Sequence, residues 1–176
     1  MAGCDELQGG FSHAPKFPTE PVLFLLLQEA ERTADSAVLE AVTVTLDAMA
    51  GGGIHDQVGG GFHRYSTDNE WLVPHFEKML YNQAHLARAY LLAWRLTGNA
   101  EHRRVAAQTL DYVLRDMTSP DGVFYSATDA DSAGKEGLFF LWTKEQIQQA
   151  LSASDAAFAI ELFGVTDGGN YEDSNI

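Results

Sequence analysis

The chain has 176 residues and is 45% hydrophobic, enough for one domain, residues 1–176, with a real core. Its net charge of −14 argues against nucleic acid and anionic membrane surfaces as partners, because phosphates would be repelled. The longest apolar run, Val22 to Leu27, falls far short of the ~20 residues that span a bilayer. Cys4 is the single cysteine, so no internal disulfide can form, and the first twenty residues show no apolar signal-peptide core. Both features fit a cytoplasmic protein.

Helical periodicity begins at residues 19–33, with Pro21 in the first turn, where its missing N–H costs nothing. A second helix is predicted over 36–49, on Val38, Leu39, Val42, Leu46 and Met49. A third is predicted from Phe76 to about Leu96, with Phe76, Met79, Leu80, Ala84, Ala87, Leu91 and Trp94 on one stripe. Gly98 ends it, and Asn99 caps a fourth that runs to about Met117 on Val105, Leu110, Val113, Leu114 and Met117. Phe139 to Trp142 reads as a short extended segment. Thr143 and Gln146 form a capping-box pattern opening a fifth helix, and a sixth covers 154–163.

The connections alternate between short and long. Each long one carries a glycine followed by an aromatic: Gly10-Phe11, Gly61-Phe62, Gly122-Val123-Phe124 and Gly169-Asn170-Tyr171. Such recurrence marks a repeat, here a helical hairpin that buries its second face against a neighbour. The predicted fold is all-α, built from antiparallel hairpins. Hairpins stacked in the same sense bring the long loops to one end, where residues distant in sequence form a site. Their uncovered faces predict a homo-oligomer.

The richest loop is 51–77, with six glycines, three histidines, an arginine and a tryptophan where a plain helix connection has about 2–8 residues. His63, Arg64 and Tyr65 join a proton carrier, a fixed cation and a phenol. Asp56 and Gln57 stand seven residues upstream; an acid near His63 would fix its tautomer and raise its pKa. The group suits acid–base work on a sugar or other polyol; alternatively Asp56 and Arg64 clamp the loop. His75 and Glu77 fall at the predicted start of the third helix, where His75 would stay neutral and act as base, or Glu77 would simply complement the helix dipole. Asp129 and Asp131 read as paired acids of a glycosidase-type site or as turn-shaping residues. A calcium loop fits poorly, because Ala133 and Phe140 stand where oxygen ligands belong. Lys16, Trp71, Tyr125 and Glu136 complete the ligand-binding candidates, Trp71 and Tyr125 as stacking platforms and Lys16 as a cation near an acidic rim. No metal or cofactor is implied.

The segments GGFSHAPKFP, GGIHDQVGGGFHRYSTDNEWLVPHFEKMLYNQAHL, GVFYSATDADSAGKEGLFFLWT and GGNYEDSNI resemble consecutive motifs of one family, the thioredoxin-domain-containing proteins of spermatogenesis-associated protein 20 and its bacterial relatives. The resemblance implies a helical toroid, an (α/α)6 architecture similar to six-hairpin glycosidases and N-acylglucosamine 2-epimerases, following a thioredoxin-like domain. This chain carries neither that domain nor a CxxC, and it reads as a fragment with about three of six hairpins. Two functions follow from the resemblance: a carbohydrate-active site of epimerase or glycosidase type, or a non-catalytic module that binds a ligand or protein beside a redox domain.

Overall fold

The computed structural model describes residues 4–176. The chain divides into two compact units, Met1–Ala130 and Asp131–Ile176.

In the first unit, α1 (Glu20–Thr33) and α2 (Ser36–Gly51) form one antiparallel hairpin, and α3 (Leu80–Thr97) and α4 (Ala100–Asp116) a second. Asp35 caps α2 through the amides of Ala37 and Val38. Gly98 takes the left-handed conformation that ends α3, and Asn99 Oδ1 accepts from Glu101 N at 3.0 Å to start α4. Helices α1 and α3 run parallel, because their contacts advance together: Glu20 meets Asn82, Phe24 meets His85, and Glu31 meets Arg95. Leu23, Leu46, Met49, Ile54, Phe62, Leu86 and Tyr90 are fully buried in a shared core. Truncating one of these leucines to alanine costs about 2–5 kcal/mol.

The predicted start and stripe of α3 need correction. The helix begins at Leu80, and Pro74–His75 and Lys78–Met79 are extended (β2 and β3), pairing with Tyr65–Ser66 (β1) and Ala127–Thr128 (β4). Sheet pairing at 78–79 outcompetes the helical continuation, since Lys78 and Met79 find cross-strand partners in Thr128 and Ala127. Along α3 the buried face is Asn82, Gln83, Leu86, Ala87, Ala89, Tyr90 and Ala93, so Ala87 is inside as expected while Leu91 is exposed. The two amides are buried because they bond Glu20 and the backbone of Phe62. On α4, Leu110 and Leu114 are exposed, and Thr109 and Tyr112 take the inner positions.

The second unit holds a small ladder, Asp131–Ser132 (β5) on Lys135–Glu136 (β6), and the helices α5 (Lys144–Ala150) and α6 (Ala153–Leu162). The capping box of Thr143 and Gln146 is formed. Residues 137–140 are a turn rather than the expected extended segment; Phe140 N bonds Gly137 O, and only Trp142 makes a bridge, to Asn175. Buried Asn175 holds this unit together, accepting from Thr166 N and donating to the carbonyls of Trp142 and Thr166.

All four glycines of the recurring signature, Gly10, Gly61, Gly122 and Gly169, have positive φ, between 71° and 90°. The repeat is therefore a backbone repeat: a left-handed turn aims the following aromatic segment.

Candidate functional site

In the first unit the three long loops are knitted together at one end of the helices. Lys16 and Ser66 exchange two backbone bonds, Trp71 Nε1 donates to Gln8 O at 2.8 Å, and β3 pairs with β4. The residues expected there separate into buried pins and a partly open cluster.

Lys16 is a pin. Its side chain is wholly buried; Nζ donates to Asn69 O at 2.8 Å, pairs with Asp5 at 3.1 Å and lies 4.9 Å over the Trp71 ring. It is not a rim cation, because the loop has closed around it. Trp71 is also fully buried, with φ 63°, and offers no face for stacking. Gln57 spends its amide on the carbonyls of Ala50, Gly52 and His55. Asp56 pairs with Lys78 at 2.8 Å rather than with Arg64, and accepts from the amides of Val58 and Gly59. Burial works to raise the Asp56 pKa, but the Lys78 charge and these bonds outweigh it and hold the carboxyl low.

His63 is the largest correction. It is 2% exposed, with Nδ1 2.9 Å from Phe76 O. Burial lowers its pKa to about 3, aided by the Lys78 charge, and the nearby Asp56 does not offset this. A neutral, sealed imidazole serves as a hydrogen-bonding strut, not as the proton carrier expected from its sequence.

Arg64, His75 and Glu77 form the partly open cluster. Arg64 Nη1 donates to Glu77 Oε2 at 3.0 Å, and His75 Nε2 lies 3.9 Å from that same oxygen. The backbone supports the pairing, with Arg64 N on Glu77 O at 2.8 Å. The Tyr81 hydroxyl also bonds the guanidinium and, with Glu77, raises the Arg64 pKa further, while Arg64 Nε is buried without a partner. The side chains of Arg64, His75 and Glu77 are 40%, 29% and 25% exposed. Beside them runs a ladder of rings: Phe17 on Tyr65 at 4.7 Å and Tyr65 stacked on His75 at 5.0 Å. Because β2 and β3 are extended, His75 and Glu77 precede the helix, and no dipole argument applies to them.

Asp129 is exposed immediately after β4, in the loop tied to β3. Tyr125 is also exposed, its amide on Met117 O. Asp131 and Glu136 belong to the second unit, where they are cross-strand partners. Among the described residues, no group of three or more His, Cys, Asp or Glu is arranged to hold a metal ion. Among the described residues, no helix is long and apolar enough to cross a membrane.

Sequence reading passed over Phe17, Tyr81, Lys78 and Gln83. Tyr81 is four residues beyond Glu77, a spacing that signalled a neighbour only if the segment were helical. Gln83 bonds both the amide and the carbonyl of Phe62. Nothing in its sequence context distinguishes it from a surface glutamine.

The chain is similar to human spermatogenesis-associated protein 20, at 44% identity over 98% of its own length and 24% of that protein. The mouse protein of the same name is 41% identical over 98% of the chain, and an uncharacterized Caenorhabditis elegans protein is 40% identical over 94%. The chain thus spans about a quarter of the length of the curated relatives it matches. No family model matches it. Among solved structures, a sugar epimerase from a ruminal bacterium superposes with a TM-score of 0.64 at 16% identity, over 92% of this chain and 49% of that one. The cellobiose 2-epimerase of Spirochaeta thermophila gives 0.65 at 22%, over 72% and 34%, and a D-mannose isomerase gives 0.53 at 21%, over 64% and 29%. The fold is accordingly all-α, made of antiparallel hairpins of the (α/α)6 toroid type.

Proposed function

We propose that the loop end of the first unit is a carbohydrate site of epimerase type, acting on a free sugar at the carbon beside its carbonyl. The observation that carries this reading is the Glu77 carboxylate held between Arg64 and His75 beside an open ladder of rings. His75 exchanges the proton, and Glu77 steadies its charged form. Arg64, whose side chain is 40% exposed, steadies the oxygen on which negative charge develops. Phe17 and Tyr65 offer apolar faces to the sugar ring. The sugar epimerases and isomerase among the structural neighbours support the substrate class by analogy of fold. A single cysteine agrees with work in the cytoplasm.

A second reading is a binding module without turnover. It is favoured by the pairing of Arg64 to Glu77 and of Lys78 to Asp56, which leaves these charges internally satisfied. Incubation with cellobiose and D-mannose in D2O, followed by NMR, separates the two. Deuterium entering at the carbon beside the carbonyl, and lost in His75→Gln, supports the epimerase. Binding without exchange supports the module, and neither binding nor exchange rejects both.

A further inference from the structure

Glu20 and Asn82 occupy the first turns of the parallel helices α1 and α3, at the end where the loops gather. Asn82 Nδ2 donates to Glu20 Oε1 at 2.6 Å, between residues that are 2% and 8% exposed. This contact fixes the amide's orientation, since the reverse would set two acceptors against each other. Asn82 Oδ1 is then buried with no partner. The second Glu20 oxygen has no hydrogen bond either, yet it is not among the sealed atoms, so it stays within reach of solvent. A buried carboxylate oriented by a buried amide, at the expense of an orphaned acceptor, is a poor choice for packing alone. By chain position the pair adjoins the cluster described above: Phe17 lies three residues before Glu20, and Tyr81 directly precedes Asn82.

We propose that Glu20 is a further ligand-contacting residue of this site, taking a hydroxyl of a polyol on its open oxygen, and that Asn82 is its positioning residue. The inference rests on the reading that this end binds a sugar. A carboxyl group with one oxygen locked and the other open accepts from a donor, and hydroxyls are the donors a sugar supplies in quantity. Glu20→Gln keeps the bond to Asn82 but removes the charge. Asn82→Leu removes the amide and leaves Glu20 Oε1 without its donor.

The test is calorimetric titration of the chain with cellobiose and D-mannose, with the melting temperature of each variant recorded. The expected result is roughly tenfold or greater loss of affinity in both variants, measured on folded protein below each variant's melting transition. That pattern separates positioning from a structural role, which would leave affinity intact in the folded fraction whatever the melting temperature. If the parent binds, Arg64→Ala weakens it and Glu20→Gln does not, this inference is overturned and the sugar reading stands. If the parent binds neither sugar, the sugar reading and the inference fall together.

Discussion

Lys78 Nζ stands 2.8 Å from Asp56 Oδ2, with the lysine side chain wholly buried and the ring of Tyr112 4.2 Å away. The same ammonium donates to Gly60 O at 2.9 Å. One cation thereby joins the second long loop, the strand that precedes α3, and α4. Glu77 is the residue before Lys78, and Asp56 N bonds Gly61 O at the base of the loop, so the pair braces the two segments that carry Arg64 and Glu77.

Breaking the pair on one side leaves a buried charge without its counterpart. Lys78→Met is therefore expected to destabilise the chain by about 3–5 kcal/mol. Lys78→Met with Asp56→Leu should recover much of that loss, because burial had already lowered the Lys78 pKa against the pull of Asp56. Urea unfolding of the single and double variants checks this, and a double variant as weak as the single one would refute it.

The buried histidines predict an acid limb of stability. Burial lowers His55 to about 4 and His63 to about 3, against an ordinary 6.5. Between those values the unfolded chain binds protons that the folded chain refuses. Stability therefore rises with pH across this window and is lost as pH falls from 6.5, each histidine contributing a slope of at most about 1.4 kcal/mol per pH unit. Unfolding midpoints measured between pH 6.5 and 5, above most carboxylate titrations, should fall steadily. His63→Gln should flatten that slope, and a flat parent profile would show that the rings are not sealed.

The signature glycines differ in what surrounds them. At Gly61, φ is 79° and a Cβ would stand 2.5 Å from Tyr112 Cδ1; at Gly122, φ is also 79° but the space is open. Gly122→Ala should cost only the left-handed strain, about 1 kcal/mol, while Gly61→Ala adds overpacking of about 1–3 kcal/mol. Equal melting temperatures for the two variants would contradict the close approach.

Hairpin order, caps and the repeat were legible because they depend on local chemistry: Asn99, Gly98, Thr143 and the glycine–aromatic pairs act within a few residues. The site was legible only in part. His63 and Arg64 are adjacent in sequence, yet one is sealed under the Phe76 carbonyl and the other faces outward. Their backbones are set by distant partners, His63 N on Ile54 O and Arg64 N on Glu77 O, and β3 pairs with β4 between Lys78 and Thr128, 50 positions apart. The same long-range pairing moved the start of α3 and removed the helix end from beneath His75. Lys16 and Trp71 were misread for a related reason: a cation and a ring with a loop folded over them look, in sequence, like a cation and a ring open to a ligand.

Glu77→Gln distinguishes chemistry from architecture at the cluster. Arg64 and Glu77 are 40% and 25% exposed, so solvent screens their attraction and the pair contributes at most about 1 kcal/mol to stability. A glutamine retains the shape and one acceptor oxygen for Arg64, and melting should change little. Proton exchange on a sugar is a different matter, since the carboxylate that steadies protonated His75 is gone. Loss of a positioned acid–base partner typically costs 10²–10⁴-fold, roughly, in rate. The expected outcome is a folded protein with normal melting and deuterium incorporation reduced by about that factor. Exchange at the parent rate in Glu77→Gln would remove Glu77 from the chemistry and leave it as the clamp that holds Arg64.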